Sequence, residues 1–374
     1  MNMPSFYQAD LFRALVNSGK VILQVIFLQR IPAERAKLGW NDDLSGFDYE
    51  FLDARAPIFD AIRKARRSRG GIHIVGGLWA GSVIESVLLT LKVSGAEYFI
   101  YSEAPDPRQP IPPWEKIVLL KAGKHIINGA KGILSVSHFA RDYFRLYGAP
   151  DSKIHPFGYF RSLPPTLKVR PLKKKKERID VIFVGQFVHR KGVDILLSAI
   201  EPLMRTRNNL FLQLVGAGEE ESRYRSWVAE KNLTRQITFE GTLSPHKVVG
   251  RISRADVLVL PSRWDGWGIV VNEAFMASVP VIVSDMCGAS DVVKNGINGF
   301  VFSSENIQEL TRKLDGLTSN SQLRLRMKTR ASKTDLMLEA ETAAQYLLAV
   351  INGRWNQDDL TARTYPWLAK VDRH

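Results

Sequence analysis

The chain has 374 residues, 45% of them hydrophobic and 24% charged, which is the balance of a soluble globular protein long enough for two domains with separate cores. Its only cysteine is Cys287, which excludes internal disulfides and a cysteine metal cluster and fits a reducing compartment. A formal net charge of +14 suits an anionic partner; without zinc-finger spacing or RNA-binding aromatic signatures nucleic acid is not expected, which leaves an anionic membrane surface or solubility alone.

The first twenty residues place Asp10 and Arg13 where a secretory signal needs an unbroken apolar run. Leu11, Phe12, Leu15 and Val16 recur at helical spacing from Gln8 to Val16, with Gly19 as the stop. Val21 to Leu28 reads as a buried strand, too short to cross a bilayer as a helix. Arg30 to Asp48 reads as a loop in which Asp42 and Asp43 are solvated, and Tyr49 to Leu52 as a short strand. Pro57 to Arg69 is predicted as a helix with Ile58, Phe59 and Ile62 inward. It ends in a basic cluster, Arg63, Lys64, Arg66, Arg67 and Arg69, that suits either a solvated helix end or a membrane surface.

Strands are predicted at Gly71 to Val75, Tyr98 to Tyr101 and Ile133 to Val136, alternating with helices at Val83 to Leu91, Glu115 to Asn128 and His138 to Leu146. The Tyr98 strand delivers Ser102 and Glu103 to a proline-rich loop holding Pro105 and Pro113. Of the histidines, His73 falls inside a strand and His138 at a helix start, and neither has a case for catalysis. This alternation predicts a parallel, doubly wound sheet over residues 1–163. Residues 164–179, with Pro164, Pro165, Pro171 and Lys173 to Lys176, read as a basic linker.

A second α/β series runs over 180–350: strands at Val181 to Val184, Phe211 to Val215, Ile237 to Glu240, Val257 to Leu260 and Val281 to Val283, and helices carrying Val193 to Met204, Val248 with Ile252, and Ile307 to Leu317. From Leu323 the chain reads as helices, and 351–374 as a polar tail able to pack back on the first domain.

In open α/β sheets ligands bind beyond the carboxyl ends of the strands. The loop after Val184 supplies Gln186, His189, Arg190 and Lys191 just before Gly192 and a helix, where an ammonium and helix amides together can hold a diphosphate. The stretch PSRWDGWGIVVNEAFMASVPVIVSD, Pro261 to Asp285, sets Asp265 and Glu273 seven residues apart around a glycine turn. One carboxylate then precedes a helix and the other lies a turn inside it. That is a phosphate seat with two acceptors for sugar hydroxyls.

With GQFVHRKGVDILLSAI from Gly185 and GASDVVKNGINGFVF from Gly288, this stretch resembles family 4 of the retaining glycosyltransferases, glycosyl transferases group 1. The likeness is specific over about 180–302 and only architectural before. It implies a GT-B fold, two Rossmann-like domains facing a central cleft with C-terminal helices, and transfer of a sugar from a nucleotide-diphosphate sugar to an acceptor hydroxyl with retention. By resemblance Glu273 binds the donor ribose, and Gly185, Gln186, Gly216, Gly268 and Ile269 are further donor contacts. Lys191 and Arg190 stabilise the leaving diphosphate, and Asp265 engages the donor sugar. The family's usual pair is two glutamates, so Asp265 is one methylene shorter, and Gln186 stands where an arginine is usual. Glu103 is the expected acceptor or sugar contact, in a loop where many members carry a histidine.

No cofactor or metal is expected. The acceptor implied is a glycan or a lipid-linked sugar in surface polysaccharide or glycolipid biosynthesis, with the enzyme cytoplasmic and peripheral on the inner membrane face. The usual first strand of the N-terminal domain is not apparent in the sequence. A GT-B nucleotide-sugar epimerase and a non-catalytic GT-B scaffold remain alternatives.

Overall fold

The computed structural model describes residues 1–37, 43–68, 70–77, 81–109, 123–162, 178–335 and 338–353. The chain divides into two compact units, one made of Met1–Ala33, Asn41–Phe160 and Ala340–His374, the other of Glu34–Trp40 and Arg161–Glu339. The expected linker at 164–179 and the tail at 351–374 lie largely outside the described residues, as do most of the proline-rich loop and the first part of the helix expected from Glu115.

The elements of the first unit are α1 (Phe6–Asn17), β1 (Gln24–Phe27), α2 (Ala33–Lys37, at the unit boundary), β2 (Asp48–Phe51), α3 (Pro57–Arg67), β3 (Ile72–Gly76), α4 (Ser82–Val93), β4 (Glu97–Ser102), α5 (residues 123–129), β5 (Gly132–Val136), α6 (Ser137–Leu146) and β6 (Ile154–Phe157). Strands β3-β4-β5-β6 form a parallel sheet and β1-β2 a parallel pair with Gln24 beside Asp48 and Phe27 beside Phe51. Where a first strand is not apparent in the sequence, the Met1 amine donates to Ile26 O at 2.7 Å and Leu28 N to Met1 O at 2.9 Å, so the first residues run along β1. Leu88 and Leu91 of α4, Ile100 of β4, Ile133 of β5 and Phe144 of α6 are fully buried in one core.

Three expectations change here. The strand expected over Val21 to Leu28 is only Gln24–Phe27, because pairing with β2 begins at Gln24 and Ile22 stands in solvent. The expected loop from Arg30 contains α2. In α3 the inward side is Asp60, Ala61 and Ala65, and Phe59, expected inward, is 79% exposed. Small residues let this helix approach its neighbour α4 closely, and the aromatic ring is left on the opposite side.

The second unit contains β7 (Ile179–Val184), a 3₁₀ turn (His189–Lys191), α7 (Val193–Thr206), β8 (Leu210–Val215), α8 (Glu221–Glu230), β9 (Ile237–Phe239), α9 (Pro245–Ile252), β10 (Val257–Leu260), α10 (Val270–Met276), β11 (Val281–Ser284), a 3₁₀ turn (Gly288–Val292), β12 (Gly299–Phe302), α11 (Ile307–Ser319) and α12 (Ser321–Asp335). Its six strands run β12-β11-β10-β7-β8-β9, every pair parallel. Continuous apolar runs are what a strand covered on both faces requires, and all of β10 and β11 is buried. The order reverses at β7, which lies between β10 and β8. Loops beyond the carboxyl ends of β7 and β10 therefore flank a switch point where α/β sheets bind ligands.

The last helix among the described residues, α13 (Ala340–Ile351), packs on α1 in the first unit, so the chain returns there before the boundary expected at 350.

Candidate functional site

Three loops of the second unit build the site, and close backbone approach is what lets them meet. Gly192, in the left-handed region at φ 68°, caps the turn carrying Lys191, and a Cβ there would stand 2.1 Å from the Pro261 carbonyl oxygen. Any side chain would push the loop after β7 away from the loop after β10. Gly216 plays the same part between the loops after β8 and β7, since its Cβ would lie 1.9 Å from Gly185 O. Gly268, at φ 93°, turns the chain into α10 with room only for a hydrogen against Cys287 Sγ and Leu260.

Lys191 and Asp265 are brought together: Nζ donates to Oδ2 at 2.5 Å, with side chains 15% and 13% exposed. Asp265 is itself fixed by its backbone, with its N–H on Met286 O and its carbonyl accepting from Gly288 N. The turn beside it is braced by Trp267 Nε1, which donates to Asn272 Oδ1 at 2.9 Å, and by the Cys287 thiol, which donates to Trp267 O at 2.8 Å. Burial and the Asp265 charge hold the Cys287 thiol well above its usual pKa, so this cysteine is a neutral packing group.

Glu273 lies in the first turn of α10, a helix buried all round. The residue is 4% exposed, and its carboxyl accepts from Arg161 Nη1 at 2.8 Å and is pushed up to about 7 by burial against the opposing pull of Arg161. Gly268 O and Ile269 O accept from Val271 N and Glu273 N to open the helix. The amides just before Val271 are those a helix start leaves without an intrahelical partner.

The remaining expected residues divide. Gly185, Gly216, Gly268 and Ile269 lie in the loops beside Lys191 and Glu273, and Gln186 is exposed in the loop after β7. Arg190, exposed on the same turn as Lys191, donates from Nη1 to Trp264 O at 2.8 Å and so binds the two loops together. Glu103 belongs to the first unit, at the end of β4, and accepts from the Tyr159 hydroxyl at 2.5 Å. It sits among Tyr7, Tyr101 and Tyr159, whose rings touch, and burial raises the Tyr101 and Tyr159 hydroxyls well above their usual pKa.

Two arginines were not foreseen from sequence. Arg263 forks onto both oxygens of Asp194 at 2.8 and 2.7 Å, and also reaches Glu305 and His189 O, locking the Lys191 turn to the start of α7. Arg161 holds Glu273 from 112 residues away. Neither has a local periodic or spacing signal.

Residues 166–334 match the family glycosyl transferases group 1. The chain is 34% identical over 143 residues to an uncharacterized glycosyltransferase of Methanocaldococcus jannaschii, covering 38% of this chain and 39% of that one. It is 26% identical over 261 residues to the GDP-mannose-dependent alpha-(1-6)-phosphatidylinositol monomannoside mannosyltransferase of Mycobacterium tuberculosis, covering 64% of this chain and 65% of that one. The chain thus spans less than two thirds of the length of these curated relatives. Among solved structures it is similar to Anabaena HepE in complex with UDP, with a TM-score of 0.70 at 13% identity over 94% of this chain and all of that one. The fold is GT-B, with a parallel sheet in each of two Rossmann-like domains.

Proposed function

We propose that the protein is a retaining glycosyltransferase of family 4 that moves a sugar from a nucleotide-diphosphate sugar to an acceptor hydroxyl of a surface polysaccharide or glycolipid. The observation that carries this reading is the Lys191–Asp265 contact between the loops that follow β7 and β10, with Glu273 in the helix that the second of these loops leads into. The matched family over 166–334 and the likeness to a UDP-bound structure support it. In this reading Glu273 accepts from the ribose hydroxyls, the helix-start amides near Gly268 take a phosphate, and Lys191 turns from Asp265 to the diphosphate as charge develops there. Asp265 is then released to a hydroxyl of the donor sugar. The bond from the anomeric carbon to the phosphate oxygen breaks, the acceptor oxygen bonds to that carbon on the same face, and the acceptor proton passes to the leaving phosphate. Lys191 supplies the counter-charge without a bound metal.

An acceptor at a membrane is supported by α3, which turns Phe59, Arg63 and Arg66 outward on one face, with Arg67 also exposed. No helix among the described residues is long and apolar enough to cross a membrane; the reading offered is of peripheral attachment to an anionic surface through this face of α3, on the cytoplasmic side. The relative that acts on phosphatidylinositol monomannoside supports a lipid-linked acceptor.

Screening nucleotide sugars for thermal stabilisation tests the donor, because a ligand of the folded state raises its melting point. NMR of the product then reads the anomeric configuration. Stabilisation followed by transfer with retention is expected; inversion overturns the mechanism, and binding without turnover favours a scaffold.

A further inference from the structure

The Glu273 carboxyl has one hydrogen-bond partner among the described residues, and it is Arg161. Both side chains are almost wholly buried, 5% and 6% exposed. Arg161 is the first residue of the chain's long passage through the second unit, and its own N–H donates to Leu338 O at 3.3 Å, near the point where the chain leaves it. The guanidinium is thus carried on a backbone that is tied in place at the residue itself.

Burying two opposite charges is a weak way to stabilise a fold, since an apolar pair of the same volume serves as well. A pair in this place calls for another account. Arg161 engages Oε1 alone, which fixes the orientation of the carboxyl and leaves Oε2 to accept from a ligand. A glutamate left to itself on α10 would spread over several rotamers and would be neutralised by its apolar surroundings. A hydroxyl pair on a ribose needs an acceptor that is both charged and aimed.

We propose that Arg161 is a positioning residue for donor binding: it clamps one oxygen of Glu273 so that the other meets the ribose hydroxyls of the nucleotide. This rests on Glu273 being the ribose contact of the proposed function. Arg161 acts through the carboxylate and does not itself touch the donor.

Calorimetry of the full chain with UDP and with GDP tests it. Arg161→Met weakens binding of whichever nucleotide the wild type takes up by about tenfold or more, and Arg161→Lys recovers part of the loss. Because Arg161→Met strands a buried carboxyl, a second arm compares Glu273→Gln with Glu273→Gln/Arg161→Met, neither of which leaves an unpaired buried carboxylate. If Arg161 works through Glu273, the double variant binds within about twofold of Glu273→Gln alone, since the two substitutions remove one interaction. Binding by Arg161→Met that is unchanged or tighter than wild type overturns the proposal, as does a further loss in the double variant, which would make Arg161 a direct nucleotide contact. A wild type that binds neither nucleotide overturns the reading of the site, and the proposal with it.

Discussion

Lys191 and Asp265, 74 residues apart in sequence, meet at 2.5 Å because Gly192 lets the turn after β7 press against the Pro261 carbonyl. The pair is mostly shielded, and it joins the two groups that a donor would separate: a cation for the diphosphate and a carboxylate for the sugar. Ligand-free, each neutralises the other.

Gly192→Ala breaks this approach. The left-handed φ of 68° costs an alanine about 1–2 kcal/mol, and a Cβ 2.1 Å from backbone oxygen forces the loop to move as well. Differential scanning calorimetry is expected to show a lower Tm, by about 2–4 °C for each kcal/mol in a domain of this size, together with weaker nucleotide binding. A variant with wild-type Tm and affinity would show that the loops do not need the glycine.

Lys191→Ala is expected to lower kcat by about 10²–10³-fold and donor affinity much less, because the ammonium matters most when charge builds on the leaving phosphate. Steady-state kinetics separates the two effects. An equal loss confined to KM would place Lys191 in ground-state binding alone.

Glu273 sets a pH dependence whose sign follows from burial. Its carboxyl titrates near 4.5 when exposed and about 7 in the fold. Between those values the folded chain holds a proton that the unfolded chain has lost, so the contribution of Glu273 to stability falls as pH rises from about 4.5 to about 7 and is level beyond. Glu273→Gln is expected to flatten the fall, read as the difference in Tm between variant and wild type across about pH 5 to 8. Donor affinity runs the other way, tightening toward pH 8 as the carboxylate forms. A difference in Tm that does not change with pH would mean that Glu273 is ionised throughout.

Much of this site can be read from residue order, and the reason is that its parts are local. Gly192 beside Lys191 and the Asp265 to Glu273 spacing each lie within one loop and its neighbouring helix. What escaped is of two kinds. Some elements carry too thin an apolar signal: α8 buries Tyr224 and Val228 among charged residues, and β12 is only four residues, Gly299–Phe302. Others depend on a distant partner. Arg161 and Arg263 are unremarkable basic residues until folding brings Glu273 and Asp194 to them. The bond from Arg190 to the Trp264 carbonyl, 74 residues on, is invisible in the sequence for the same reason.

Chelation bears on the source of positive charge. If Lys191 and the α10 amides balance the diphosphate, EDTA leaves initial rates unchanged and added magnesium does not raise them. Loss of activity in EDTA with recovery in magnesium would move the counter-charge to a metal held by the donor phosphates.

Attachment to a membrane can be tested apart from catalysis, because α3 belongs to the first unit and the Lys191 site to the second. On α3, Phe59, Arg63 and Arg66 stand at i, i+4 and i+7, so one face presents an aromatic ring followed by two cations, while Ala61 and Ala65 face the core. Arg63 also reaches Asp60 at 2.5 Å, yet its side chain is 60% exposed and remains open to a surface. Near an anionic leaflet each basic residue contributes about 1 kcal/mol. The triple variant Arg63→Glu/Arg66→Glu/Arg67→Glu is therefore expected to lose about 3 kcal/mol, roughly a hundredfold, in partitioning to phosphatidylglycerol vesicles. Phe59→Ser should reduce it further without altering the salt dependence. Neutral phosphatidylcholine vesicles serve as the reference, and sedimentation reads the bound fraction. Turnover on a soluble acceptor should be unaffected in the triple variant, since none of the three arginines belongs to the donor site. Equal sedimentation of variant and wild type with the acidic vesicles would show that the net charge of +14 does its work on another face.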